Sequence, residues 1–389
     1  MSSSPHPDFD FAKEKAPDLH GILAEMRDAG PVVAARYLGR PAWVITRHAE
    51  LRTAFRDEDR FHSATIQEPL VGPTMQSMVG QKHRRNRGLI SSAFIPSAIE
   101  RLSAEIIEPL AHELLAELEK EAEFDLIARF THRFPAAVIT RMLGIPVHDE
   151  KQFLDWALEL FNFPWDPTGA REAWAHFTDY LAPVLRARRA DPADDLLSML
   201  LQAELDGQKL TDAEILSFIG ILYPAGSDTA FKSMGSMMLG VLTHPHVRDR
   251  ALAEPDSRGA IAEEAMRWEP PVAVLPRRAN RDFELADAPI RAGDPVIFAI
   301  ASANRDERVF ADPDVFDPDR ARLKESLVFG HGPHFCLGAQ LAREEMRIGL
   351  GAMLERFPRM ELIDPTSVEM LGAILRGPRS LHVRVDPAT

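Results

Sequence analysis

Phe329-Gly330-His331-Gly332-Pro333-His334-Phe335-Cys336-Leu337-Gly338 is the stretch on which the reading of this chain turns. Cys336 is the one cysteine among 389 residues. Gly330 and Gly332 admit backbone conformations that other residues resist, and Pro333 keeps a helix from starting early. An amphipathic run follows directly, Ala339-Gln340-Leu341-Ala342-Arg343-Glu344-Glu345-Met346. The spacing predicts a tight loop that presents one sulfur at a helix N-terminus. There the helix dipole and free N–H groups favour thiolate over thiol. A lone cysteine is ordinarily a small buried hydrophobe. A core cysteine needs no glycine-built loop, so the spacing weighs against that. Zinc would need His331 and His334 to act with a single thiolate, without a CxxC pair. A nucleophilic Cys–His pair stays open but has no distinctive local signature.

Bulk properties narrow the rest. Apolar residues make up 45% of the chain, enough for a large core. A net charge of −14 argues against nucleic acid and against a basic membrane-binding surface. One cysteine excludes an internal disulfide and fits a reducing compartment. The start, Met1-Ser2-Ser3-Ser4-Pro5-His6-Pro7-Asp8, lacks the basic and apolar regions of a secretory signal. No apolar run approaches the roughly 20 residues of a membrane span. The chain is therefore expected to be soluble and cytoplasmic. No repeat, low-complexity tract or linker divides it, so one domain over residues 1–389 is expected.

Taken in order, residues 17–29 read as a helix. Pro31 to Tyr37 and Pro41 to Thr46 read as a hairpin about Gly39-Arg40. Residues 47–57 return to helix. The stretch 61–80 is irregular, and long irregular segments in compact proteins often serve as lids or binding loops. Helical periodicity resumes from Gln81 to about Met142, with breaks near Pro96 and Glu123-Phe124-Asp125. Within it His83 and Arg87 stand four apart on one face of a basic cluster, Lys82 to Arg87. Two more helices, 149–163 and 170–189, flank an aromatic corner at Phe163-Pro164-Trp165. Short strands are expected at Val272-Ala273-Val274, Phe283-Glu284-Leu285 and Pro295-Val296-Ile297-Phe298.

The longest helical pattern runs from Thr211 to about Leu242. Thr211 with Glu214 reads as a capping box. The run is apolar on nearly all sides from Ile215 to Leu222, as in a central helix. Its middle, Pro224-Ala225-Gly226-Ser227-Asp228-Thr229, breaks helix rules: interior proline costs about 3 kcal/mol and glycine about 1. Either two helices meet here, with Asp228 or Thr229 as a cap, or one helix is opened to admit water or a small ligand. Further on, Glu264 and Arg267 are three apart on one helical face, with Glu263 as an alternative partner.

Together these stretches resemble the cytochrome P450 superfamily of haem-thiolate monooxygenases in its soluble bacterial form. The pattern F-G-x-G-x-H-x-C-x-G is met by Phe329, Gly330, Gly332, His334, Cys336 and Gly338. A-G-x-D-T is met by Ala225, Gly226, Asp228 and Thr229, E-x-x-R by Glu264 and Arg267, and the meander by Phe316-Asp317-Pro318-Asp319-Arg320. The resemblance implies a mainly α fold, triangular and helix-rich, with small β-sheets on a minor β-rich side. It implies haem b with Cys336 as axial ligand, the thiolate pushing electron density onto iron. Phe329, Gly330 and Ala225 would contact the haem. Its propionates would meet His83, Arg87, Arg277 and His334, with Arg278 as a competitor to Arg277. Gly226 would give room for dioxygen, Thr229 would hold oxygen and ordered water, and Asp228 would relay protons. Glu264, Arg267 and Arg320 would form a buried structural triad. Pro224 and Ala230 depart from the usual residues at their positions.

Little chain follows the post-cysteine helix, so no fused reductase is expected. Electrons from NAD(P)H are expected through an external ferredoxin docking near Lys82, Arg84, Arg85, Arg343 and Arg347. The substrate pocket is expected from residues 65–79, Phe161 to Trp165, Leu222, Val272, Val274, Ile374 and Leu375, which favours a hydrophobic small molecule. A monomer is expected. Peroxide-driven oxygenation by the same site and a haem-based gas sensor or carrier are the competing readings. The first makes no use of Asp228 and Thr229, and the second lacks an output domain.

Overall fold

The structure is a computed structural model and describes residues 4–12, 15–63, 68–146, 150–205 and 207–386. Helix Leu19–Ala29 (α1) precedes a hairpin of Val32–Tyr37 (β1) and Arg40–Ile45 (β2). The turn takes Leu38 and Gly39 into the left-handed region, with φ of 50° and 75°, the twist that a two-residue hairpin favours. After helix His48–Ala54 (α2) comes the short strand Phe61–His62 (β3). Leu275–Ala279 (β4) and Pro295–Phe298 (β5) complete a five-stranded sheet in the order β1-β2-β5-β4-β3. β5 runs parallel to β2 and antiparallel to β4. Phe11, Leu19, Leu23 and Val33 pack one side of this sheet with Val274 and Ile297.

The larger core is helical. Gly80–Ile90 (α3), Arg133–Leu143 (α4), Glu150–Glu159 (α5) and Pro167–Ala190 (α6) lead to Asp212–Thr243 (α7), a helix of 32 residues. Arg258–Trp268 (α8) and Ala339–Arg356 (α9) pack against α7, as do α4 and α5. The predicted capping box is present: Glu214 N donates to Thr211 Oγ1, and Thr211 N donates to Glu214 Oε2.

The interruption expected in α7 is absent: one helix continues through Pro224 to Thr229. Proline removes one donor, yet the surrounding bonds hold. Ser227 Oγ donates to Tyr223 O (2.8 Å) and Thr229 Oγ1 to Ala225 O (2.6 Å). The buried Tyr223 hydroxyl bonds Thr140 of α4 at 2.8 Å. Close approaches also lock the helix. A Cβ on Gly220 would lie 2.6 Å from Trp174, and one on Gly235 would lie 2.8 Å from Ile127. Tertiary packing has overridden local propensity.

The triad expected behind the cysteine loop forms and is fully buried. Arg267 donates Nε and Nη2 to the two Glu264 oxygens, both at 2.7 Å. Its Nη1 serves the carbonyls of Asn304 and Pro313. Arg320 Nε reaches Glu264 Oε1 at 3.2 Å, and Asp317 N donates to the same oxygen. Glu263, the alternative partner, instead pairs with Arg343 of α9. A second buried pair had no sequence signal: Arg376 Nε on Glu269 at 2.9 Å, with Arg376 Nη1 also bonding Ala16 O. It ties the two ends of the chain together.

Two outcomes follow from these buried charges. Glu264→Ala strands a buried guanidinium, and equilibrium denaturation should read a loss of about 3–5 kcal/mol with reduced haem uptake. Glu345 on α9 is fully buried and has no ion-pair or hydrogen-bond partner among the described residues; burial raises its pKa well above the ordinary carboxylate range. Above that ordinary range the unfolded chain gives up a proton that the folded chain keeps, so native stability falls as pH rises. Glu345→Gln should therefore raise Tm at pH 8 and lose that advantage as pH falls to the ordinary carboxylate range, measured by thermal melts across pH.

Candidate active site

The cysteine loop is a nested set of backbone turns. Gly330 N donates to Leu327 O, Cys336 N to Phe329 O, and Phe335 N to Gly332 O. Gly330 and Gly332 take φ of 70° and 79°, which makes glycine the natural residue at both. A Cβ on Gly332 would also come within 3.0 Å of Phe55 O. Cys336 thus sits just ahead of α9, as the spacing predicts. The expected thiolate preference does not follow in the free protein. Burial pushes the thiol pKa up, outweighing the downward pull of the Gly338 N–H, Arg87 and Arg343. A bound metal cation would reverse that balance and hold the sulfur as thiolate.

Cys336 keeps open surface although protein surrounds it at longer range, as a residue lining an internal space does. Arg277 is the same. It lies deep in the protein on β4 yet is only half-buried at its surface. Burial lowers its pKa to about 10. Among the described residues its guanidinium bonds only the carbonyl of Pro276, and it lies 5.6 Å from the Phe298 ring centre. Arg278, its neighbour on the strand, points to the opposite face and is exposed, as strand alternation requires. Arg277 is thus the arginine turned inward.

The His83 and His334 rings lie 4.2 Å apart between centroids, tilted by 31°. Burial, helped by His83, Arg277, Arg87 and His62, pushes the His334 pKa down to about 3. Burial, then Arg87, lowers that of His83. Arg87 Nη2 donates to Phe335 O at 2.7 Å, which ties α3 to the cysteine loop. One carboxylate joins them. Glu58 Oε1 lies 2.9 Å from His334 Nε2, but off-axis, so neither atom has a well-formed hydrogen bond. Glu58 was not foreseen. It stands in the run Asp57-Glu58-Asp59-Arg60, which carries no motif.

This donor set fits a haem. Four cationic or hydrogen-bonding groups, His83, Arg87, Arg277 and His334, crowd one another with a single poorly aligned acid among them. A dianionic edge, such as two propionates, would relieve that crowding. Where the cavity wall was expected, Leu222, Val272 and Ile374 are half-buried, and Val272 bridges Leu375. Val274 is a correction: it is fully buried in the sheet core and offers no surface to a substrate. Trp165 is half-exposed and faces outward. Of residues 65–79, 65–67 lie outside the described residues. A Cβ on Gly226 would point at Ile139, 3.5 Å away, so this glycine's missing side chain opens no space by itself. A surface cleft of about 470 Å³ is lined by His48, Arg52, Arg56 and Arg322 and by none of the expected pocket residues.

A lone sulfur presented from a glycine-built loop, beside an inward cluster of cations, defines a haem-thiolate protein. The Cytochrome P450 family profile matches residues 11–258 and 259–381. The erythromycin C-12 hydroxylase of Saccharopolyspora erythraea is 36% identical over 374 residues, 93% of each chain. The solved structure of the Bacillus subtilis 168 bacillaene polyketide synthase cytochrome P450 PksS superposes with a TM-score of 0.87 at 33% identity, covering 95% of this chain and 97% of that one. That of myxobacterial CYP267B1 in complex with myristic acid gives 0.89 at 32% identity, covering 95% and 97%. The chain belongs to the cytochrome P450 family and is a P450 monooxygenase. Its cofactor is accordingly a haem on a cysteine thiolate, and Cys336 is the cysteine it has.

Removing the inward arginine tests the fit. Arg277→Gln should weaken haem binding by about 10- to 100-fold, the weight of a lost charged hydrogen bond. Competitive haem transfer to an apo-globin would measure it.

Proposed function

We propose that this P450 inserts one oxygen atom from O2 into a hydrophobic small molecule, by hydroxylation, epoxidation or O-dealkylation. The names of its relatives, a macrolide hydroxylase, a polyketide synthase P450 and a P450 with bound myristic acid, favour an acyl or polyketide-type skeleton. The half-buried apolar side chains of Leu222, Val272 and Ile374 support such a ligand. Electrons come from NAD(P)H through a ferredoxin and its reductase. The docking face lies over Lys82 and Arg84, which are exposed; Lys82 lies near enough to Glu214 to lower its pKa. Arg343 and Arg347 are engaged with Glu263 and Glu344. The protein acts as a single-domain monomer in the cytoplasm. Among the described residues no helix is long and apolar enough to cross a membrane.

The bound haem supplies oxygen activation on the Cys336 thiolate; the chain supplies positions and protons. His83, Arg87, Arg277 and His334 hold the propionate edge. Thr229 Oγ1 spends its proton on Ala225 O, so its lone pairs are left to accept a hydrogen bond. Asp228 is buried one residue earlier on α7 and carries a proton inward from the solvent side. The observation that carries the oxygen-dependent reading is this pair, a buried acid beside a hydroxyl oriented as acceptor. Peroxide-driven turnover needs neither group.

Thr229→Ala tests it. Product formed per NAD(P)H should fall by about a hundredfold, the scale of a lost proton-transfer group. NAD(P)H oxidation and haem content should persist. Unchanged coupling, measured as product against NAD(P)H consumed, would sink the relay.

A further inference from the structure

Four residues beyond Asp228 the central helix carries a lysine. Lys232 pairs its ammonium with Asp228 Oδ1, an i,i+4 contact along α7. On an open helix face such a pair contributes little. Here the Asp228 and Lys232 side chains are 7% and 18% exposed, so the contact lies largely out of water. There each charge depends on the other, because an unpaired one would keep its full desolvation cost.

The surroundings fix the lysine on several sides. Its Nζ lies 4.1 Å from the ring centre of Phe231. His132, which precedes α4, meets the same ring edge-on at 4.9 Å. On the other flank, Gly377 of the short strand Gly377–Pro378 presses against the lysine stem. A Cβ there would lie 2.9 Å from Lys232 Cβ and Cγ, so the glycine makes room for this side chain. From other elements, His132 is the titratable group that interacts with both Asp228 and Lys232, and Lys151 and Asp155 of α5 in turn act on His132.

We propose that Lys232 is a positioning residue for Asp228: it fixes the carboxylate through Oδ1, so that Oδ2 is the atom that takes a proton from the solvent side and passes it inward. The proton leaves the same oxygen that accepted it, and the carboxylate is regenerated each turnover. The lysine keeps its own protons throughout. The reading of Asp228 as the proton-carrying acid underlies this inference.

The test compares Asp228→Asn, Lys232→Met, Lys232→Gln and the double variant Asp228→Asn/Lys232→Met as haem-loaded enzymes. The substrate is one identified by spin-state shift. Product per NAD(P)H and the solvent deuterium isotope effect on it are measured alongside KM. Lys232→Met should lower product per NAD(P)H by about tenfold with KM unchanged, and the double variant should be no worse than Asp228→Asn alone. In the resting protein, the His132 ring signal should titrate at higher pH in Lys232→Met, since Lys232 lowers its pKa. Should Lys232→Met not take up haem, Lys232→Gln carries the same expectations. Wild-type coupling in the lysine variants beside an impaired Asp228→Asn would overturn the role of Lys232. An unimpaired Asp228→Asn would overturn the role of Asp228 itself, and this inference with it.

Discussion

The buried contact between Arg267 and Glu264 is the constraint from which the site is hung. Both side chains are fully withdrawn from water, so every donor and lone pair must be met within the protein. Arg267 meets this by bonding the carbonyls of Asn304, Pro313 and Val315, and Arg320 adds those of Asp312 and Val315. The irregular meander therefore has a fixed path without regular secondary structure. Asn304 passes the constraint on, since its Oδ1 accepts from Leu327 N. Leu327 O in turn accepts from Gly330 N, at the start of the cysteine loop. The position of one sulfur is set by a chain of polar contacts that begins on α8.

Charge organises the opposite side of that loop. The protein is acidic overall, yet Arg87, Arg277, His83 and His334 converge inside it. Such a cluster is unfavourable by itself: burial lowers the pKa of Arg277, and burial together with the neighbouring cations lowers that of His334. A dianionic cofactor of the kind the family carries would supply the counter-charge that the cluster lacks. The central helix applies the same logic on a smaller scale, where Asp228 is buried with Lys232 beside it. In both places a buried charge is kept because another group needs it there.

Much of this was legible beforehand. The hairpin, expected about Gly39-Arg40 and turning one residue earlier at Leu38-Gly39, the capping box at Thr211 and Glu214, and the helix opening at Ala339 rest on local rules of turn and cap chemistry, which act within a few residues. Glu264 and Arg267 were legible because helical spacing places them on one face. The expectations that failed depended on distant partners. Local propensity predicts a break at Pro224, but the helix continues through it, packed by Trp174, Ile127 and the Tyr223–Thr140 bond. Val274 alternates like a pocket residue and lies in the sheet core instead.

By itself the sequence determined the chemistry: one cysteine, the glycines that can present it, and an acid and a hydroxyl on an apolar helix. Those are covalent and conformational properties of the residues, carried wherever the chain goes. Only the tertiary structure decided which of two adjacent arginines turns inward, that Glu58 approaches His334, and that Glu263 pairs with Arg343 rather than Arg267. Each of these depends on the strand face, the register or the depth at which a side chain lands, and those are set by contacts between segments far apart in the chain.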